Sequence, residues 1–328
     1  MEKVFVINSY FWLHSFYGRT LPGNGESLIG TGYRPSGGGK GVNQAFAAAY
    51  EGCHVEAIGR IGADYAGEMC RKECASVGRI GCNYLRMDPE HATGSGCILR
   101  DEDGGNAIVI VPGVCDNFSN EDFDAAREYI KQCKTGGFQL EVNPETIGYA
   151  IKESAKLGIR TFLDPAPAIV LPDELYPYIS FIKPNEHEAL TLTGIQVHSY
   201  EDAKEAGERL LEKGVKECAI ITMGERGCVV VSREESYVVP CPRVMVEDPT
   251  CAGDSFAGSF IASIAKGKTI KEAVIRASCL AALTVSRSGS MYNCFFDSQE
   301  QLDKIQKEYL ETVEELIEKF NQITRRKQ

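Results

Sequence analysis

The 328-residue sequence contains no uninterrupted stretch of the roughly 18 apolar residues that a membrane-spanning helix needs, which sets aside a helical membrane span. It has no positive excess either. Its 35 lysines and arginines stand against 46 aspartates and glutamates, a formal net charge of −11. Nucleic acid and anionic membranes reward clustered Lys and Arg, so neither is expected as a partner, and an anionic substrate would need local donors. Zinc-type cysteine pairs are missing: among thirteen cysteines the nearest two, Cys70 and Cys74, have three residues between them and no matching second pair. His14, His54, His91, His187 and His198 form no triad or metal set. The opening MEKVFVINSYFWLHSF lacks a basic n-region, and Asn8 and Ser9 break its apolar run, so no cleavable signal is expected. The cysteines then read as reduced, small apolar fillers in a cytoplasmic protein. There is no internal repeat, low-complexity stretch or linker.

What is present is ordinary globular composition, 43% hydrophobic and 25% charged, enough for a large core without a metal or disulfide staple. Short β-branched runs at Val4–Ile7, Val55–Ile58, Thr161–Leu163, Phe181–Ile182, Ala219–Thr222 and Cys228–Val231 alternate with helical patterns such as Thr146–Leu157 and Ser199–Glu212. That rhythm predicts a doubly wound α/β fold, a mostly parallel sheet flanked by helices. The end of the chain is helical. Thr269 and Glu272 make a capping-box pattern before Ala273–Thr284, and Leu302, Ile305, Tyr309, Val313, Leu316 and Phe320 recur at helical spacing. Two regions break the rhythm: the glycine-rich residues 18–38, and Ser95–Val111, which reads as a hairpin around Asp103-Gly104-Gly105. Extra strands of this kind predict a small β lid over the site.

The most informative segment is Glu247-Asp-Pro-Thr-Cys-Ala-Gly-Asp254, which runs into SFAGSFIASIAKG. Ala252 and Gly253 fall where a helix begins, and small residues there let unpaired N–H groups approach an anion that the helix dipole favours. Asp254 then lies in the first turn, placed either to cap the helix or to take a proton from an attacking hydroxyl. Pro35-Ser-Gly-Gly-Gly-Lys-Gly-Val-Asn43 precedes an alanine-rich helix. It has neither Walker A nor dinucleotide-fingerprint spacing. It reads either as a flexible turn or as a grip, through Lys40 and Asn43, on a polyhydroxy compound.

Together these segments resemble the ribokinase-like (PfkB) carbohydrate kinase family nearly end to end. GGGKGVNQAFAAAYEG with IGRIGADYAG resembles its N-terminal signature and DPTCAGDSFAGSF its C-terminal one, with FQLEVNPET, DPAPA, KPNEHEALTLTG and ITMGERG between them in the family's order. The likeness to ribokinases rests on FQLEVNPET and DPAPA. The resemblance implies one kinase domain over residues 1–328, with lid strands inserted at about 13–38 and 94–112. It also implies ATP-dependent phosphorylation of a primary hydroxyl on a pentose or related sugar, with Mg²⁺ and a K⁺-type monovalent cation. On this resemblance Asp254 is the general base, with Ala252 and Gly253 as the anion hole. Gly39, Lys40, Asn43 and Glu141 hold the sugar. Asn185 and Glu188 form the N-x-x-E element that helps organise Mg²⁺ and phosphate, and Thr222, Gly224 and Gly227 touch the nucleotide. Asp248, Thr250, Thr284, Arg287, Gly289 and Asn293 match a monovalent-cation site, several of them through backbone carbonyls. A homodimer through the lid is implied too, and exposed Leu28 and Ile29 would suit it.

The chain departs from the ribokinase pattern after its first strand. Ribokinases carry an Asn-x-Asp element there that grips ring hydroxyls, whereas this stretch reads Asn8-Ser-Tyr-Phe-Trp-Leu-His14, with Leu13 at the Asp position. A site that loses such a partner loses grip on that hydroxyl. Phe11, Trp12 and His14 could stack on a ring instead or simply pack in the lid. Two further readings stand beside the sugar kinase: a nucleoside or modified-sugar kinase, and a non-catalytic sensor of sugar or nucleotide. A smaller departure is Pro249 and Cys251, where the family usually has Thr or Gly; activity is expected to survive it.

Overall fold

In β1 (Lys3–Asn8) successive side chains feed two different cores: Val4 and Val6 enter one, Phe5 and Ile7 the other. A strand covered on both faces requires this. The computed structural model describes residues 1–103, 105–287 and 299–325. After β1 come β2 (Phe11–Tyr17), β3 (Gly32–Gly38), β4 (His54–Gly62), β5 (Ile80–Asp88), β6 (Gly94–Arg100) and β7 (Asn106–Val111). They are followed by β8 (Thr135–Phe138), β9 (Arg160–Leu163), β10 (Phe181–Ile182), β11 (Cys218–Thr222), β12 (Cys228–Ser232) and β13 (Ser236–Val239). Nine of these form one mixed sheet in the order β13-β12-β11-β10-β9-β8-β1-β4-β5. Helices α1 (Lys40–Tyr50), α2 (Tyr65–Val77), α8 (Ala252–Ala265), α9 (Ile270–Val285) and α10 (Gln299–Arg325) supply one core. The other takes α3 (Asn120–Ala125), α4 (Arg127–Ile130), α5 (Pro144–Lys156), α6 (Glu186–Thr193) and α7 (Tyr200–Glu212).

The winding places the site. From β1 the chain moves outward through parallel β4 and β5, then returns to β8 on the other side of β1 and continues through parallel β9, β10 and β11. Antiparallel β12 and β13 close that edge. The direction reverses between β1 and β8, so their carboxyl ends open a crevice of the kind where open α/β sheets bind ligands. Helices α1 and α8 both start at this crevice. They cross closely: a Cβ on Gly258 would strike the Gln44 carbonyl and sit 2.5 Å from the Ala47 methyl. The alanines and glycines of both helices are therefore what brings their N-termini together.

The remaining strands form a separate four-stranded sheet in the order β3-β2-β6-β7. The hairpin expected around residues 103–105 is β6 paired with β7. The glycine-rich segment, however, contributes only Gly32–Gly38, and its partner β2 begins earlier, at Phe11. The Thr269/Glu272 capping box forms, and α10 buries Leu302, Tyr309 and Val313; the side chains of Leu316 and Phe320 lie outside the described residues. Among the described residues no disulfide forms, and Cys70 and Cys74 are buried free thiols on α2. Within the same residues no helix is long and apolar enough to cross a membrane.

Candidate active site

At the mouth of the crevice the chain leaves β1 through Ser9 and enters α1 through Gly39, whose φ of 124° lies where glycine is favoured. A Cβ on Gly39 would sit 2.6 Å from the Ser9 carbonyl oxygen, so two backbones touch here. Glu141, just past β8, closes the junction. One of its oxygens accepts the Ser9 hydroxyl and the Lys40 backbone N–H, each at 2.7 Å. Burial pushes the Glu141 pKa above the ordinary carboxylate value, against the pull of the Ser9 hydroxyl and the Lys40 charge. The buried Gln139 amide donates to the Ile7 carbonyl at 2.6 Å and accepts the Glu141 N–H at 3.2 Å, which ties β8 to β1.

Across the crevice α8 begins. Its Ncap is Cys251, a non-glycine residue at φ 64°; a left-handed backbone there costs roughly 1–2 kcal/mol. The first intrahelical donor is Ser255, to the Cys251 carbonyl, so the N–H groups of Ala252, Gly253 and Asp254 precede the helical ladder. Asp254 does not cap the helix. Its carboxylate accepts the Asn43 amide at 2.8 Å and lies 3.5 Å from the Lys40 ammonium. The side chain is 9% exposed. Residues 211 apart in the chain thus form one acid–amide–ammonium cluster.

The same ammonium is 3.6 Å from Asp164, at the end of β9. Asp164 is fully buried and also holds Lys183, after β10, at 3.1 Å, and the Gln44 amide at 3.2 Å. Burial would raise the Asp164 pKa, but Lys183 and Lys40 hold it below the usual carboxylate value. Burial by itself would depress Lys40; Asp164, Asp254, Glu141 and Glu188 outweigh it and raise the ammonium's pKa. One strand further, Asn185 and Glu188 form a reciprocal capping box at the start of α6. Glu188 is buried rather than solvated, and burial raises its pKa. Asn185 forms an isolated bridge with Thr222 at the end of β11. Gly224 and Gly227, at φ 56° and 89°, bracket the turn that follows, and Arg226 pins that turn to Glu186 of α6.

The residues expected around a monovalent cation are more scattered. The Asp248 N–H bonds the Val285 carbonyl, and an Asp248 carboxylate oxygen takes both the N–H and the hydroxyl of Thr250. The Thr284 hydroxyl is tied to Ser255 at 2.6 Å and donates to the Leu280 carbonyl. Arg287 lies just past α9, its side chain on Gln301. Gly289 and Asn293 lie outside the described residues.

The sequence model of the pfkB family carbohydrate kinases matches residues 15–295. The chain belongs to that family. It is 34% identical over 275 residues to a deoxyribokinase of Salmonella typhi, covering 84% of this chain and 89% of the relative. To a ribokinase of Haemophilus influenzae it is 33% identical over 266 residues, 81% of this chain and 86% of the relative. The solved structure of the Arabidopsis thaliana ribokinase complexed with ribose and ATP superposes with a TM-score of 0.82 at 25% identity, over 93% of this chain and 98% of the other. The protein is therefore a ribokinase-like, ATP-dependent sugar kinase.

Within the pfkB frame the aromatic departure after β1 resolves into packing. Phe11 is buried at 3% exposure. Trp12 meets Tyr65 edge to face at 5.4 Å, and His14 hydrogen-bonds the Tyr33 hydroxyl at 2.8 Å. None of the three stacks on the crevice; Trp12 and His14 lie on the opposite face of β2 from Leu13. Leu13 faces inward, one methyl 2.7 Å from the Cβ position of Gly38 and the other 2.7 Å from that of Gly96. Sequence reasoning missed Ser9, Gln139, Gln44, Asp164 and Lys183. The available signal was a charged residue directly after a short buried run: Asp164 after Thr161-Phe-Leu163, and Lys183 after Phe181-Ile182.

Proposed function

We propose that this kinase transfers the γ-phosphoryl group of ATP to the primary hydroxyl of a pentose, with Asp254 as general base and the N–H groups of Ala252 and Gly253 receiving the transferring charge. The observation that carries the reading is the state of Asp254. It sits in the first turn of α8 without capping it, aimed by Asn43 and Lys40. Phosphoryl transfer asks mostly for positioning and charge neutralisation, and a base so placed supplies about 10²–10⁴ in rate. Gly39, Lys40, Asn43 and Glu141 border the sugar, while Asn185, Thr222, Gly224 and Gly227 border the nucleotide. Mg²⁺, when bound, would neutralise phosphate charge. Glu188, buried and bonded to the Asn185 backbone and amide, fits a cation-organising carboxylate next to Asn185. A monovalent cation near Asp248, Thr250, Thr284, Arg287, Gly289 and Asn293 would draw on carbonyls, since Thr284 and one Asp248 oxygen are already engaged.

The lid favours one acceptor over another. Leu13, Gly96 and Ile110 make its inner surface beside Gly38 apolar. A pentose with a hydrogen in place of a hydroxyl on that edge, as in 2-deoxyribose, suits it better than ribose. The naming of a 34% identical relative as a deoxyribokinase points the same way. Exposed Ile108, Val109 and Val111 on the edge strand β7, with Ile29, support a homodimer formed lid to lid.

The test is ADP release from ATP–Mg²⁺ across a panel of pentoses, hexoses and nucleosides, with Asp254→Asn alongside. Turnover on a pentose, falling at least 10²-fold in Asp254→Asn, is the expected result. Turnover confined to nucleosides, or an unchanged variant, overturns the reading.

A further inference from the structure

The charged groups of the crevice alternate in sign along a line: Asp254, Lys40, Asp164, Lys183. The links are 3.5, 3.6 and 3.1 Å. The line ends at the anion hole. The Lys183 ammonium lies 3.2 Å from the place a Cβ would take on Gly253, so any larger residue there would press on it. The Lys183 side chain is 5% exposed and Asp164 1%. Desolvating such a pair is expensive, and an apolar pair is often as stable or more so, so stability alone gives little reason for it. Lys183 follows a strand of two residues, and its N–H is held by the Leu163 carbonyl at 3.0 Å. This fixes the root of the side chain while the head reaches across to α8.

We propose that Lys183 is a catalytic residue that contacts the transferring phosphoryl group at the Ala252–Gly253 anion hole, and that Asp164 is a positioning residue that aims it there. The inference rests on the kinase reading above and adds to it a cation and its support. In this arrangement the phosphoryl oxygens meet backbone N–H groups from the helix side and an ammonium from the β10 side. The same Asp164 carboxylate orients Lys40 toward the base, so both ends of the transfer are referred to one buried anion. Preorganised donors of this kind act strongly because little water remains to compete with them.

The experiment compares wild type, Lys183→Met, Asp164→Asn and the double variant, once wild-type turnover has identified an acceptor. Lys183→Met keeps the volume and removes the charge, and the double variant removes the uncompensated buried carboxylate that could stop the single one folding. Expected is a fall of about 10²–10³ in kcat for both Lys183→Met and the double variant, with the KM for ATP within about threefold of wild type. Both variants also lose tight binding of ADP–aluminium fluoride in the presence of the sugar, while ADP alone binds as before. A smaller fall in Asp164→Asn, with Lys183 still charged, fits a positioning role. A double variant restored to near wild-type kcat would mean that Lys183 serves only to neutralise Asp164, and the inference fails. Lys183→Met with wild-type kcat ends it too. Wild type without turnover on any sugar defeats the kinase reading itself, and the two failures are thus told apart.

Discussion

Changing Leu13 to aspartate should convert an apolar lid into one that grips a hydroxyl, and the size of the effect follows from the local geometry. Leu and Asp branch at the same atom, so the two carboxylate oxygens take the places of the methyls that now lie 2.7 Å from the Cβ positions of Gly38 and Gly96. Both neighbours are glycines, so the replacement meets no side-chain obstruction from them. A hydrogen bond to a charged group contributes about 1.5–3 kcal/mol when made. At 1.4 kcal/mol per decade, that is a change of roughly 10- to 150-fold. In the wild type the 2-hydroxyl of ribose would instead be buried against Leu13 without a partner, a cost of about 1–3 kcal/mol. The quantity to measure is kcat/KM for ribose divided by kcat/KM for 2-deoxyribose, in both proteins. The wild type should prefer 2-deoxyribose, and Leu13→Asp should move the ratio toward ribose by at least tenfold. Leu13 is half-buried, so some stability is lost, and circular dichroism at the assay temperature checks that both proteins are folded. A ratio that shifts less than threefold in a folded variant would place Leu13 away from the acceptor and refute the argument.

Asp122 should report on stability with a defined pH dependence. Its buried carboxylate accepts from Arg60 at 2.5 Å and Arg86 at 3.0 Å, and closes the capping box of α3. Burial would raise its pKa, but the Arg60 bond, the Ser119 N–H and Arg86 together lower it. A depressed carboxylate stabilises fully above the ordinary Asp value near 3.9 and loses that contribution as pH falls through the lower folded value. Asp122→Asn should thus cost on the order of 3 kcal/mol in urea titrations at both pH 7 and pH 5, with the gap closing only below about pH 4; a gap that narrows between 7 and 5 contradicts this. For the lid, light scattering on the purified chain should give twice the 35.9 kDa monomer mass, and Val109→Glu should return it to a monomer. A wild-type monomer removes the proposed interface.

The elements that could be read from the chain are those where a local pattern and the tertiary role coincide. Ala252-Gly-Asp254 announces a helix start with an acid in its first turn, and Thr269 with Glu272 announces the next one. The strand β8 was hidden for a physical reason. Its Thr-Gly-Gly-Phe sequence looks like a turn, yet Gly136 is there because the Phe5 ring covers it, and Gly137 because the Ile261 methyl would sit 2.7 Å from a Cβ. Helix α2 buries only Gly67, Cys70 and Cys74, too thin an apolar stripe to show a period. At the site, the motif residues stood out because each carries its meaning locally. Asp164 and Lys183 open the blocks DPAPA and KPNEHEALTLTG, but only the parallel pairing of β9 with β10 sets them side by side. Their significance comes from a sum over two strand ends and two helix ends: Lys40 arrives from α1, Asp164 and Lys183 from adjacent strand ends, and Gly253 from α8. No window of sequence contains that sum. Fold and family were therefore legible in this chain, whereas the line of charges through Asp164 and Lys183 became visible only once the strands were in register.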